Sequence, residues 1–544
     1  MRRRAAIVLA AIVAAGCVAR LAPPPVMPAT ASPARGTPAV DDGALVHALS
    51  RLGFGPRPGD VERVKATGLE RWLGRQLEPA GLDDAATDRA LAALPTLAMS
   101  IGDLQRQYPR PDKQAREQVA SGAMSRREMM ERYPPDMRPF RIVGELQAAR
   151  MLRAVESERQ LQEVMVDFWF NHFNVHAAKG EVTWYVSAYE RDVIRPNALG
   201  KFGDLLRATA RHPAMLFYLD NWLSTRADFT VPAGPNRGRR AGLNENYARE
   251  LMELHTLGVD GGYTQKDVTE VARAFTGWTI DRPREEARFV FRPARHDRGE
   301  KTVLGARLRA GGGEQDGERV LELLLRHPST ARFIATKLVR RFVADEPPPA
   351  LVERVAGTYA ASDGDVRAML RTLVAAPEFW SAEARRAKIK KPFEFVASAV
   401  RALGGHADAR GGWALARAAA EMGEGLYAAQ PPTGYPDRAE AWVNAGALLA
   451  RMNFALALTQ RRVPGVTLDL APLAADGAAP EAALDRLLAA LLHGGATPQT
   501  RAVLAAQLVD PQIRRQTADD RGPADTDVAK LAALVIGSPE FQRR

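Results

Sequence analysis

Cysteine is almost absent from this sequence of 544 residues, because Cys17 is the only one. No intrachain disulfide can form, and the CxxC and CxxCH patterns of thiol redox chemistry and covalent haem are missing. The sequence also lacks a GxSxG nucleophile elbow, a Walker A loop and a GxGxxG dinucleotide motif. Serine hydrolase, nucleotide, haem and iron–sulfur chemistry therefore have no support here, and the cofactor stays unknown.

Acidic residues are fewer than basic ones, which leaves a formal net charge of +11. Such an excess attracts anionic polymers in general. The basic residues are scattered along the chain, however, and no basic stripe alternates with aromatic residues as in single-strand-binding proteins. A composition biased towards arginine codons explains the excess better. We expect no nucleic-acid partner.

The N-terminus has the pattern of an export signal. Residues 1–16 begin with basic side chains and continue as an apolar stretch too short for a permanent membrane helix. They end in the run AAGC, which resembles the bacterial lipoprotein signal box, where the cysteine becomes the lipidated N-terminus. We predict a signal peptide over 1–16 and lipidation of Cys17. An ordinary signal peptide with an incidental cysteine is the alternative.

Residues 17–42 are rich in proline, alanine, serine and threonine, so we predict a flexible tether there. By analogy with lipoprotein sorting, Val18 after the cysteine does not indicate retention at the inner membrane. The lipid would then attach the protein to the outer membrane, facing the periplasm. Without the lipid, the protein is expected in the periplasm.

Apolar residues recur every three or four positions through most of the remaining chain, and this spacing predicts an all-α fold. We expect one large globule over 43–541. A subdivision near residue 320, giving a C-terminal helical part over 320–541, stays open. Alternating apolar residues predict a small β-hairpin near 286–305.

Residues 243–280 are the most informative stretch and predict two helices joined by a glycine loop. Asn244 is placed to cap the first helix, and Gly258 to end it in a left-handed conformation. Thr264 and Asp267 have the spacing of a capping box for the second helix. The stretch therefore predicts its own boundaries.

Charged side chains follow one face of the first predicted helix. Glu245, Arg249 and Glu253 fall on one stripe, with His255 at the edge of the apolar face. One interpretation is a solvated ladder of ion pairs at i, i+4 spacing. The other is a polar cleft lined by carboxylates, an arginine and a histidine.

Several motifs carry a resemblance to a known family. The run NENYARELMELHTLG, then GYTxxDV and ARAFTGW, resembles the signature of the bacterial DUF 1800 family, a domain of unknown function. The motifs FWxNHF at 168–173, HDxxxK at 296–301 and PxGYP at 432–436 are similar to family motifs as well. The resemblance covers roughly 43–541 and implies an exported protein, with no reaction attached.

The first functional hypothesis is a cell-envelope enzyme with a hydrolase-like or polymer-binding site, in which glutamate beside histidine supplies general acid and base. We expect Arg249 to lie between carboxylates of its own helix, and the histidines and glutamates to form one connected cluster. The candidate catalytic residues are His172, Glu250, Glu253, His255, His296 and Asp297. The candidate binding residues are Asn171, Asn244, Glu245, Arg249, Arg273, Trp278 and Lys301.

The second hypothesis is a non-catalytic envelope scaffold, whose polar motifs are helix caps and buried ion networks. The resemblance implies an accessory role beside a secreted sulfatase- or phosphatase-like protein. An envelope polysaccharide is the other candidate partner. A divalent metal stays open because His172 and His176 are four residues apart. Further ligands at metal spacing are missing, so a histidine hydrogen-bonded among aromatic residues is preferred, and no metal site is assigned.

Overall fold

Helices dominate the structure, a computed structural model that describes residues 41–232, 237–474, 480–509 and 527–544. The all-α prediction is therefore confirmed. Asp41–Arg544 form one compact unit. The predicted signal peptide, Cys17 and the tether up to residue 40 lie outside the described residues. No helix in the described ranges is long and apolar enough to cross a membrane.

The N-terminal part consists of short helices, and the first of them shows how the sequence starts a helix. Asp41 Oδ1 accepts the Ala44 N–H at 2.6 Å, which satisfies one of the unpaired donors of the first turn. The helices of this part are α1 (Asp42–Arg51), α2 (Asp60–Thr67), α3 (Leu69–Leu77), α4 (Ala85–Leu91), α5 (Ile101–Gln107), α6 (Lys113–Ala120) and α7 (Arg126–Glu131), with 3₁₀ turns at Pro79–Gly81, Pro95–Leu97 and Pro135–Met137.

Two long helices then enter the core, and shorter ones follow. These elements are α8 (Phe140–Glu156), α9 (Gln160–His172), α10 (Val182–Ala188), a π-helix at Tyr189–Ile194, α11 (Arg195–Asn197), α12 (Phe202–Arg211), α13 (Pro213–Tyr218) and a 3₁₀ turn at Asn221–Leu223. Almost every position of α9 is buried, including Glu163 and Asp167. A charged side chain in such a helix needs a partner inside the protein.

The signature stretch forms α14 (Asn246–Glu250), a π-helix at Leu251–Thr256 and α15 (Gln265–Phe275). Gly258 has φ +81°, and the predicted capping box of α15 is present. Two details of the prediction are wrong. Glu245, and not Asn244, occupies the N-cap position, although Asn244 Oδ1 accepts the Asn246 N–H, and the helix continues as a π-helix. The wider π turn changes the side-chain directions, and His255 is buried instead of lying at an edge.

Two small antiparallel sheets follow, where the sequence predicts one hairpin. Strand β1 (Trp278–Asp281) pairs with β2 (Arg288–Phe291), and β3 (Lys301–Val303) pairs with β4 (Ala306–Leu308). The predicted range of 286–305 therefore spans parts of both sheets. The first strand lies earlier than predicted, directly after Gly277.

The C-terminal half is again helical. Its elements are α16 (Gln315–Arg326), α17 (Pro328–Phe342), α18 (Pro349–Ser362), α19 (Val366–Ala375), α20 (Pro377–Trp380), α21 (Pro392–Ala402), α22 (Ala409–Glu421), α23 (Ala445–Thr459), α24 (Pro480–Leu492), α25 (Pro498–Gln507) and α26 (Val528–Gly537), with β5 (His406–Ala407) paired to β6 (Val466–Thr467) and 3₁₀ turns at Ala439–Ala441 and Ala471–Leu473. Packing of α8 on α22 and of α23 on α26 joins distant parts of the chain, and α17 packs on the next helix, α18.

Candidate functional site

A pocket of about 230 Å³ lies where three distant segments meet, and we call it the basic pocket. Its walls come from residues 167–172 at the end of α9, residues 337–341 of α17 and the loop over 433–438, with Lys391 just before α21. Two of the family-like motifs, FWxNHF and PxGYP, thus meet at one place. Five of the lining side chains are lysine or arginine, and two are aspartate.

A pair of hydrogen bonds holds two of these walls together. Asn171 Nδ2 donates to the Tyr435 carbonyl at 2.8 Å, and Asn171 Oδ1 accepts the Tyr435 N–H at 2.7 Å. The preceding Gly434 has φ +68°, and a Cβ there would lie 2.4 Å from the Asn171 carbonyl oxygen. Only glycine fits this approach, so the loop sequence and the Asn171 side chain together fix the shape of the pocket.

Buried ion pairs form the inner wall. Asp167 contacts Lys391 Nζ and Arg150 Nη2, each at 3.1 Å, and Lys391 also contacts Glu424 at 3.2 Å. Burial raises the pKa of Asp167, but Lys391 and Arg150 outweigh this effect and hold the pKa below its usual value. Asp167 is therefore a permanent anion that balances its neighbours, and it has no proton to give at neutral pH.

Arg341 is also buried, yet its guanidinium is only partly satisfied. Its Nη1 pairs with Glu394, while Nε and Nη2 have no hydrogen-bond partner among the described residues. The nearest carboxylate to Nη2 is that of Asp167, at 4.0 Å. Buried donors are normally paired, because an unpaired one costs about 1–3 kcal/mol. Two donors of one pocket-lining side chain are thus buried and unpaired.

Lys337 is the second incompletely paired cation of this wall. It forms no hydrogen bond or ion pair with any described residue, and its Nζ lies 5.5 Å from the centre of the Phe333 ring. Burial is the main cause that lowers the pKa of Lys337 to about 8; Asp437 opposes this effect and Arg340 adds to it. The Asp437 carboxylate is itself 2.9 Å from Lys388.

His172 and His255 lie behind the pocket as neutral rings. His172 Nε2 is 3.1 Å from the His255 carbonyl, so it carries the proton that this bond needs. Burial, and then Lys337, lower the pKa of His172 far below its usual value and that of His255 to about 3. Helix α9 ends at His172, so His176 does not share a helical face with it. Within the described ranges, no group of three or more His, Cys, Asp or Glu is arranged to hold a metal.

Four other predicted residues form a separate hairpin cluster with Asp316, which the sequence did not predict: Arg273, His296, Asp297 and Lys301. Arg273 binds Asp297 at 2.9 Å, while Asp316 accepts from Lys301 at 2.8 Å and lies 3.1 Å from His296 Nε2. The Lys301 ammonium also donates to two carbonyl groups. The charged groups of this cluster are paired with one another. Their contacts join the two small sheets to α15 and α16. The predicted Trp278 is fully buried in β1 nearby.

A third set stays on the half-exposed face of α14 and its π-helix. Glu245 accepts from Thr269 and Gln265, each at 2.8 Å. Arg249 contacts the Gln265 amide at 2.8 Å and Glu245 at 3.5 Å, so the prediction that it lies between carboxylates of its own helix is only half right. Glu250 and Glu253 are half-buried. Burial raises the pKa of Glu250, and the neighbouring Glu253 raises it further.

The prediction of one connected cluster is therefore wrong. The structure brings Asn171, His172 and His255 together, but it places His296 with Asp316, and Glu250 and Glu253 form no hydrogen bond or ion pair with any of these residues. The sequence reasoning missed the cations that define the basic pocket, Lys337, Arg341 and Lys391. One signal was present: three lysines within KIKKP directly precede α21, a helix that is buried along its whole length.

The fold and the pocket define a class of mainly helical protein in which a buried ion network supports a basic pocket. Within this class, a model of the family described as "Protein of unknown function (DUF1800)" matches residues 47–543. The chain belongs to this family, as its motifs predict. Comparisons with curated proteins and with solved structures find no match.

Proposed function

We propose that the chain is an exported cell-envelope lipoprotein whose basic pocket binds a single anionic group of an envelope molecule. The observation that carries this proposal is the incompletely paired inner wall: Lys337 has no hydrogen bond or ion pair with a described residue, and Arg341 has two unpaired donors. A sulfate, phosphate or carboxylate group would accept from both side chains and neutralise the excess charge.

Binding is better supported than hydrolysis. General acid–base catalysis needs groups whose pKa lies near the working pH. Among the pocket residues, Asp167 and Asp437 are held as anions and His172 is held neutral. Lys337 alone has a pKa near this range, at about 8. A single titratable amine, among side chains whose charge does not change near neutral pH, favours binding of a charged ligand over acid–base catalysis.

The carrier of the anionic group would be an envelope polysaccharide, because the lipid at Cys17 would hold the pocket near the membrane surface. An accessory protein for a sulfatase-like partner would use the same pocket to hold a sulfated polymer. Catalytic and accessory roles differ in turnover: a binding protein leaves a sulfated oligosaccharide intact, and an enzyme releases sulfate or a cut chain.

Isothermal titration calorimetry with inorganic sulfate and phosphate tests the proposal. We expect binding that Lys337→Met weakens at least tenfold, because the variant removes the unpaired ammonium. Lys266→Met is the matched control, since Lys266 is an exposed lysine of α15 and the change in net charge is identical. An equal loss of affinity in both variants would mean that only the net charge of the protein matters. Unchanged affinity in Lys337→Met would refute the site.

A further inference from the structure

A larger cavity of about 320 Å³, which we call the rear cavity, lies among α1, the end of α24, the segment before α21 and the C-terminal residues. Its walls carry five lysine or arginine side chains and a single carboxylate, that of Glu540. His47 faces it too, but burial and the nearby Arg51 lower the pKa of His47 to about 3, so this ring adds no charge. None of the predicted site residues lies here.

Lys390 is the buried cation of the rear cavity. The residue is only 7% exposed, and its Nζ forms no hydrogen bond or ion pair with a described residue. Instead, the Nζ lies 3.8 Å from the centre of the Phe541 ring. Burial, and then Arg386, lower the pKa of Lys390 to about 7 against the opposing effect of Glu394. A cation–π contact compensates only part of the cost of removing an ammonium from water.

The carboxylate of the wall does not neutralise this charge. Glu540 Oε1 accepts from the Thr497 N–H at 3.1 Å and from the hydroxyl groups of Thr497 and Thr500, each at 2.8 Å. Arg386 donates to the carbonyls of Leu492 and Gly495 at the end of α24 and contacts no carboxylate within 4 Å. Both cations thus lack a direct ion pair, although Glu394 favours the charged form of Lys390 and Glu540 that of Arg386 from a longer distance.

We propose that the rear cavity is a second binding site, for a small molecule that carries a phosphate or sulfate group. Lys390 and Arg386 supply the two positive charges, and the Phe541 ring supplies an apolar surface beside them. A tetrahedral oxyanion accepts from several directions at once, which a fixed guanidinium and an ammonium on different walls require. The volume reaches the lower end of the range for small-molecule pockets, so the site takes more than a free ion.

The two sites lie back to back. Lys390 lines the rear cavity and its neighbour Lys391 lines the basic pocket. Arg544 at the rear and Arg341 at the front both bond the same oxygen of Glu394. The rear site is nevertheless independent of the proposed function, because its unpaired cation is a different residue.

Calorimetric titration of the full chain with inorganic phosphate separates the two sites. We expect two binding sites in the wild type, loss of one in Lys390→Met, and loss of the other in Lys337→Met. Lys390→Arg should retain the rear site, because it keeps the charge over Phe541. Wild-type stoichiometry in Lys390→Met would overturn the proposal, whereas loss restricted to Lys337→Met would leave only the basic pocket.

A second readout follows the amine itself. In protein labelled at the lysine ε-carbon, the NMR signal missing from Lys390→Met identifies Lys390. We expect this signal to titrate near pH 7 without phosphate and at a higher pH with phosphate, since a bound anion stabilises the ammonium. A titration that phosphate leaves unchanged, in a protein that still binds phosphate at the front, would overturn the rear site alone.

Discussion

Replacement of Lys337 by methionine should make the protein more stable while it removes the anion affinity of the basic pocket. Burial lowers the pKa of this amine from 10.5 to about 8, so the folded state holds the proton less well than the unfolded state. Below pH 8 the folded wild type therefore carries a constant penalty, and the penalty disappears as the pH rises through 10.5. Methionine has a similar length and a comparable helix propensity, so it removes the charge with little change in packing.

The pKa difference sets the size of the effect. A fall from 10.5 to about 8 corresponds to roughly 3 kcal/mol, and solvent at the pocket mouth reduces this to about 1–3 kcal/mol. We expect Lys337→Met to raise the free energy of unfolding by this amount at pH 7 and by nearly nothing above pH 10.5. Urea unfolding at both pH values measures the difference.

Sulfate gives the second half of this experiment. It should stabilise the wild type at pH 7 more than it stabilises Lys337→Met, because a ligand stabilises only the state that binds it and this variant loses the basic pocket while it keeps the rear cavity. Lys266→Met should behave like the wild type in both respects. A Lys337→Met protein that is less stable than the wild type at pH 7 would refute the reasoning, since Lys337 would then have a stabilising partner.

Other expected outcomes follow from single positions. Gly434→Ala should lower the melting temperature by several degrees, because alanine at φ +68° costs about 1–2 kcal/mol and its Cβ meets the Asn171 carbonyl; Gly357→Ala, in open space within α18, is the control and should be neutral or stabilising. Glu250→Gln should raise the melting temperature slightly at pH 7 and not at pH 3, since burial raises the pKa of this carboxylate and penalises its charged form; equal melting curves at both pH values would contradict this. Cys17→Ser should abolish incorporation of labelled palmitate, and equal labelling of both proteins would exclude lipidation at this residue.

Local chemistry made part of the fold predictable from the sequence. The left-handed Gly258 and the capping box at Thr264 both depend on a few neighbouring residues, and the structure has them as expected. The π-helix at Leu251–Thr256 was not predictable from apolar spacing, since one wider turn leaves the composition of the stretch unchanged.

Only those residues of the site that belong to sequence motifs were predictable. Asn171 and His172 stood out, but the partner that gives Asp167 its role, Lys391, is 224 residues away. Sequence spacing reports which residues share a helix face and does not report which helices meet. Charged residues on a visible stripe, such as Arg249, therefore looked more important than Lys337, whose isolation appears only when α17 packs against the end of α9.

Crystals of the full chain soaked in selenate test the central claim most directly, because selenate replaces sulfate and is located by its anomalous signal. The account predicts a peak in the basic pocket, within hydrogen-bond distance of Lys337 Nζ and Arg341 Nη2, that is absent from Lys337→Met crystals. Selenate bound elsewhere on the protein, with the basic pocket empty in the wild type, would contradict the assignment of this pocket as an anion site.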